Sequence, residues 1–187
     1  MTDRPRPSTL SDAAFIARFG GVFEHSPWVA EGVLAAAGAD RRSLDSVALD
    51  SVALDSVALD SVAGLHAAMV RVVRAAPRER QLALLRAHPD LAGRLALAGE
   101  LTAASTAEQA GAGLDRCTPD EFARFTALNT AYTAKFGFPF ILAVRGRTRA
   151  EILAAFEARI HNDAETEFTT ALAQVDRIAL LRLGDLV

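Results

Sequence analysis

His88-Pro89-Asp90-Leu91 and Ser105-Thr106-Ala107-Glu108-Gln109 are the two stretches with chemistry to offer. They place an imidazole, a carboxylate, a hydroxyl and a carboxamide close in sequence, at the edges of helices. Arg78 to Ala87 reads as a helix through Leu82, Leu84 and Leu85. Pro89 disfavours helical dihedrals at the residue before it, so that helix stops at or near His88. An imidazole there sits at the negative end of the helix dipole, which favours its protonated form and suits a proton donor near neutral pH. The same histidine also reads as a plain helix cap. Ser105 to Glu108 matches a capping box, in which hydroxyl and carboxylate satisfy the free backbone donors of a helix start. Taken alone, each stretch supports a structural reading as well as a chemical one.

A third candidate is Arg182. Leu172, Val175, Ala179, Arg182 and Leu186 are three or four apart and share one helix face, on which Arg182 is the only charge. A guanidinium is rarely buried without an anion beside it. That anion is either a protein carboxylate or the carboxylate of a substrate. Arg159, one helix earlier, is a weaker candidate for the same task. Cys117 is the only cysteine, which excludes an intrachain disulfide and fits a reducing compartment. It precedes a helix cap with no histidine near it in sequence, so it reads as a small loop residue rather than a nucleophile. His25, His66, His88 and His161 show no paired metal spacing, and there is no phosphate-binding glycine loop or nucleophile elbow. The expectation is a reaction with no metal and no cofactor.

The elements that must hold these residues are helical. The chain has 187 residues, about half of them apolar, and a net charge of -3. That length suits a single domain with a substantial core, and the charge gives no reason to expect a nucleic-acid partner. No apolar run reaches membrane-spanning length and no signal-like block opens the chain, so cytoplasmic location is the default. Residues 1–10 read as a loose tail. Ser11 caps a first helix through Phe15, Ile16 and Phe19, and Ser26-Pro27 opens a second that stops at Gly38. From Leu65 the rhythm returns through Met69, Val72 and Val73, ending before Pro77. Leu91 to Leu101 reads as a short helical or turn segment, and the Ser105 helix ends near Gly111. Thr118 to Glu121 is a capping box with proline at the first helical position. It opens a long helix whose Phe122, Phe125, Leu128, Tyr132 and Phe136 read as core, with Gly137 closing it. Phe138 to Val144 has no strand to pair with and reads as a buried extended connector, whose backbone groups need partners that a substrate could supply. Thr148 to Glu151 is another capping box, opening a helix that ends near Asn162, and the last helix starts after Asp163 and runs to Leu183.

One segment breaks the pattern. Leu-Asp-Ser-Val-Ala occurs four times in tandem from Leu44 to Ala63. A five-residue step turns about 140° around a helix, so its apolar residues spiral instead of forming a stripe. In a strand an odd period moves them from face to face. The repeat is also shorter than solenoid units. It reads as a local expansion outside the catalytic core, most of it looped out or fraying from a helix.

Four ordered motifs carry a resemblance. His88-Pro89-Asp90-Leu91-Ala92-Gly93, Ser105 to Gln109 followed by Ala112-Gly113-Leu114, Phe136 to Ile141, and Leu181-Arg182-Leu183 together resemble the 2-oxo-4-hydroxy-4-carboxy-5-ureidoimidazoline (OHCU) decarboxylases of urate breakdown. Phe23 to Trp28 resembles that family near its N-terminus. The likeness runs from about Phe15 to Val187, apart from the repeat, where the family has a much shorter connection. It implies an all-α fold, a single-domain bundle of roughly eight helices with short links, and cofactor-independent decarboxylation to (S)-allantoin and carbon dioxide. It further implies His88 as the acid–base residue and Glu108 pairing with it or holding the substrate. Pro89, Ser105, Gln109, the segment Phe140, Ile141, Leu142, Ala143 and Val144, and Arg182 would bind the substrate. It suggests a homodimer, with hydroxyisourate hydrolase as pathway neighbour. Two alternatives stand beside it: a non-catalytic helical interaction module, with His88 and Glu108 only as caps, and a different small-molecule lyase or hydrolase on the same scaffold.

Overall fold

The computed structural model describes residues 6–43, 59–92 and 101–187. Among them the chain is all-α, with eight α-helices, two 3-10 turns and no strand. The helices are α1 (Asp12–Phe19), α2 (Trp28–Ser43), α3 (Val62–Ala75), α4 (Arg78–Arg86), α5 (Ala103–Gly111), α6 (Pro119–Phe136), α7 (Arg149–Arg159) and α8 (Ala164–Leu186). Two units form, one of residues 1–81 with 179–187 and one of residues 82–178.

In the first unit Ser11 caps α1 by accepting from the Ala14 N–H at 3.3 Å. Phe15 and Phe19 are buried and lie one turn apart with ring centroids at 4.9 Å. Helices α2 and α3 pack tightly at Gly32. A Cβ there would lie 2.5 Å from Val72 Cγ1, so any side chain would force the pair apart. The C-terminal carbonyls of α3 are gathered by one residue. Gln81 Nε2 donates to Val73 O at 2.9 Å, Ala76 O at 3.1 Å and Arg74 O at 3.3 Å.

One sequence expectation needs correction here, and another gains a boundary. The tail is not loose throughout: Pro7–Thr9 is a 3-10 turn with Pro7 buried. Ser8 donates through both N–H and Oγ–H to the Asp60 carboxylate, each at 2.8 Å. Asp60 belongs to the last copy of the repeat, and that copy is built into the fold. Leu59 is buried, and Ser61 caps α3 by accepting from the Gly64 N–H at 3.0 Å. The period is unchanged there, but the chain beyond it, Gly64 to Val73, supplies a regular apolar face, so the last copy serves as that helix's start. Residues 44–58 of the repeat lie outside the described residues.

The second unit is organised by its caps. The expected capping boxes at Thr118 and Thr148 are both present. Their carboxylates accept from the cap N–H at 2.8 Å and 2.7 Å. These bonds hold Glu121 and Glu151 below the usual carboxylate range, the backbone N–H of Thr118 and Thr148 being the largest cause. Asp163 starts α8 differently, its own carboxylate accepting from the Glu165 and Thr166 N–H groups at 3.0 Å and 2.9 Å, and it is held low mainly by the Thr166 hydroxyl. Helix α6 ends at Gly137, whose φ of 77° is the left-handed conformation a glycine adopts without a Cβ clash. Of the expected aromatic stripe, Phe125 and Tyr132 are fully buried, while Phe122, Leu128 and Phe136 are half-buried. Tyr132 lies edge-on to Phe138, Phe140 and Phe156, and Phe140 stacks on Phe156 at 3.9 Å. Burying each such ring stabilises by roughly 1.5–3 kcal/mol. Phe138 to Val144 is the expected buried extended connector.

Three boundaries differ from the sequence reading. Helix α2 continues through Gly38 to Ser43, and α8 through Gly184 to Leu186. An isolated glycine costs a helix only about 1 kcal/mol relative to alanine, which good helix formers on both sides offset. Helix α5 begins earlier than expected. Its cap is Thr102, whose Oγ1 accepts from the Ser105 N–H at 3.3 Å, so Ser105 lies inside the first turn and is not the cap of a box with Glu108.

Candidate functional site

Helix α4 ends at Arg86, and two looser bonds carry the chain to the imidazole. The Ala87 N–H donates to Ala83 O at 3.0 Å and the His88 N–H to Leu85 O at 3.2 Å. Pro89 then removes the next donor and ends the helix. His88 is buried, and its Nδ1 lies 2.9 Å from Leu84 O. A carbonyl oxygen only accepts, so Nδ1 carries a hydrogen and proton exchange falls to Nε2. The end of α4 is fixed by Arg86, whose Nε donates to Gly137 O at 2.9 Å.

The turn after Pro89 is held by side chains from two other helices. Gln109 on α5 uses both ends of its carboxamide. Its Oε1 accepts from the Ala92 N–H at 3.0 Å and its Nε2 donates to Asp90 O at 3.3 Å. Asn129 on α6 donates from Nδ2 to Leu91 O at 2.9 Å. Ala92 sits at φ 50°, a conformation an L-residue adopts only when its surroundings hold it there. Burial pushes the Asp90 carboxyl above the ordinary aspartate range.

The structure therefore brings together His88, Pro89 and Gln109 around one turn, with Ser105 buried one helical turn before Gln109 and Glu108 half-buried beside it. Gln109 is engaged by backbone, so its first task is to tie α5 to the histidine turn. The connector residues Phe140, Ile141, Leu142, Ala143 and Val144 are all buried. Several of their backbone groups have protein partners. Arg159 Nη1 donates to Ile141 O at 2.7 Å, the Ala143 N–H donates to Gln174 Oε1 at 3.1 Å, and Arg147 Nε donates to Ala143 O at 3.1 Å.

Arg159 is better explained as the keystone of a buried network than as a ligand clamp. It pairs with the fully buried Glu167, which also accepts from the Tyr132 hydroxyl and, at 2.7 Å, from Asn162 Nδ2. Its guanidinium lies 4.5 Å from the centroid of Phe140. Burial and the bond to Glu167 push the Tyr132 phenol up. In the first unit, the anion that Arg182 requires is Glu24. Nη1 donates to Glu24 Oε2 at 2.8 Å and to Val22 O at 3.3 Å, with both side chains buried. The protein carboxylate was one of the two partners the sequence left open. Among the described residues no three His, Cys, Asp or Glu side chains cluster as a metal site.

Sequence reasoning missed Asn129, Glu24, Glu167 and Thr102. Glu24 lay in plain view as an acid between Phe23 and His25, in a segment with buried neighbours. Asn129 carried a signal too, since it falls on the Phe125–Tyr132 face of α6.

Comparison with known proteins adds an independent line. A family model described as OHCU decarboxylase matches residues 8–184. The 2-oxo-4-hydroxy-4-carboxy-5-ureidoimidazoline decarboxylase of Haloferax volcanii is 43% identical over 176 residues, covering 94% of this chain and 90% of that protein. The uric acid degradation bifunctional protein PucL of Bacillus subtilis is 38% identical over 179 residues, which are 96% of this chain and 30% of that one. A crystal structure of (S)-allantoin synthase superposes with a TM-score of 0.69 at 33% identity, over 97% of this chain and 52% of that one.

Proposed function

The chain belongs to the OHCU decarboxylase family, and on that premise we propose that it removes the carboxyl group of 2-oxo-4-hydroxy-4-carboxy-5-ureidoimidazoline, giving (S)-allantoin and carbon dioxide. The substrate supplies its own electron sink. The carboxylate leaves from a carbon that bears a hydroxyl, and the electron pair it releases flows toward the adjacent carbon–nitrogen double bond. An enol results, and a proton must reach one face of it. One-sided delivery makes the product chiral, and the substrate's double bond makes a separate electron-accepting group unnecessary.

The observation that carries this reading is the mounting of His88. Its ring is buried at the end of α4 with Nδ1–H committed to Leu84 O, which orients Nε2 as the proton-exchanging nitrogen. His88 is the proton donor. Glu108 acts with it, either on the imidazole or on the substrate hydroxyl and amide. Ser105 binds a polar edge of the substrate, Pro89 lines its place, and the backbone of Phe140 to Val144 faces the ring. Gln109 serves the site by holding the His88 turn. The reading further includes a cytoplasmic homodimer working next to hydroxyisourate hydrolase. A relative that joins a like segment to another activity of uric acid degradation supports a close pathway link.

The test is direct. OHCU is generated in place from urate with uricase and hydroxyisourate hydrolase, this protein is added, and substrate loss and allantoin chirality are followed. Faster loss with one enantiomer in excess supports the proposal. Loss at the spontaneous rate with racemic product refutes it.

A further inference from the structure

Asn129 occupies the middle of α6, on the face it shares with Phe125 and Tyr132. It is buried beside them, with 6% of its surface exposed. A carboxamide at such a position needs both ends satisfied, yet only one is. Nδ2 donates to Leu91 O at 2.9 Å, while Oδ1 is buried with no hydrogen-bond partner among the described residues. A leucine would leave no orphaned acceptor on this helix but would strip Leu91 O of its donor, so the amide is explained by that one bond. What the amide supplies is one donor, and that donor is aimed at the turn following His88.

That turn needs holding. Ala92 is left-handed at φ 50°, and its N–H is taken by Gln109. Three consecutive residues, Asp90, Leu91 and Ala92, are bonded to two carboxamides from two different helices. Pro89 has a locked φ, so few soft dihedrals separate Leu91 from His88, and a shift of the turn passes into the imidazole instead of being absorbed. From the other side the ring is held by Leu84 O.

We infer that Asn129 is a positioning residue, which with Gln109 locks the Asp90–Ala92 turn and thereby fixes the His88 imidazole. This rests on the reading of His88 as proton donor. Misplacing a reacting group by about 1 Å costs on the order of 10²-fold in rate, so the effect belongs in kcat and not in KM.

Asn129→Leu and Asn129→Ser both remove the bond to Leu91 O, the second without adding bulk. Each is compared with wild type for melting temperature, for kcat and KM on enzymatically generated OHCU, and for the imidazole nitrogen signals of His88 by NMR, assigned with His88→Asn. The expected result is a folded variant whose kcat falls roughly 10- to 100-fold at nearly constant KM, with His88 signals broadened or shifted between tautomers. A lowered melting temperature with wild-type kcat and unchanged His88 signals overturns the inference, because Asn129 would then only pack the core. Failure of both variants to fold overturns it as well. Turnover by the wild-type chain judges the decarboxylase reading separately. The imidazole signals need no substrate, so they decide the positioning role whatever that turnover is.

Discussion

His88→Asn separates a cap from a proton donor, and the geometry sets both magnitudes. The asparagine amide reaches the place of Nδ1, so it keeps a donor toward Leu84 O, now 2.9 Å from the ring nitrogen. Asparagine is also at ease near helix C-termini. The change removes two ring atoms, Cε1 and Nε2, and its cost in stability is on the order of 1 kcal/mol. The same change removes the only atom of this side chain able to exchange a proton near neutral pH. Losing a general acid costs about 10²–10⁴ in rate, equivalent to roughly 2.7–5.4 kcal/mol of barrier. Circular dichroism and thermal melts report the first number. The second comes from a coupled assay in which urate is converted to OHCU in place and turnover by the variant is followed. Chirality is a further readout, because OHCU that escapes the variant decays without bias and leaves racemic allantoin. Pairing with Glu108→Gln adds a third: if both residues serve one proton-transfer step, the double variant is hardly slower than the worse single one. Wild-type turnover and optical purity in a folded His88→Asn protein would refute the mechanism while leaving the family assignment intact.

Glu24→Gln removes the counter-charge of a buried guanidinium, so the first unit should lose about 3–5 kcal/mol, read as a clear drop in melting temperature that Glu24→Asp partly restores; an unchanged melt would mean the pair is not buried in solution. Deleting residues 44–58 while keeping Leu59 to Ala63 should leave melting temperature and turnover near wild type. Extending the deletion through Ala63 removes the Ser61 cap, worth about 0.5–2 kcal/mol, together with the Ser8–Asp60 clasp and buried Leu59; equal stability of the two deletions would contradict the built-in last copy. Acid titration offers a test of opposite signs. Glu121, Glu151 and Asp163 are held below their ordinary range, so their contribution is present above it and is lost as pH falls through the lowered values. Asp90 is raised by burial, so its penalty is present at neutral pH and is relieved as pH falls through the raised value. Hence Glu151→Gln should flatten the acid loss of stability, whereas Asp90→Asn should raise stability at neutral pH and not below the aspartate range.

What could be read from residues alone was whatever lies within about one helical turn. The capping boxes at Thr118 and Thr148, the Ser11 cap, the stop at Pro89 and the Gly137 terminus each involve partners four or fewer residues apart, and each is present. The misread start of α5 was also local, but there two hydroxyls competed. Ser105 had the glutamate three residues on, yet Thr102 has the extended backbone a cap requires, at ψ 153°, and the helix begins there. Five residues suit no element by themselves, so the repeat carried no local signal that its last copy takes its structure from the helix that follows it.

The histidine turn could not have been reached in this way. Its bonds join Ala92 to Gln109 and Leu91 to Asn129, across 17 and 38 residues. Neither carboxamide's immediate neighbours name its partner: Gln109 sits between a glutamate and an alanine, and Asn129 between a leucine and a threonine. A carboxamide at such a place is informative only once its burial is known, because an exposed one finds water and a buried one must find protein. The same logic explains Arg182, whose need for an anion was evident from its helix face but whose partner lies 158 residues away. Local pattern thus located the helix end that carries His88, and the long-range polar bonds hold the turn that follows it. A variant that keeps His88 but loosens either carboxamide should therefore lose rate without losing its fold, and measuring both would separate those two contributions.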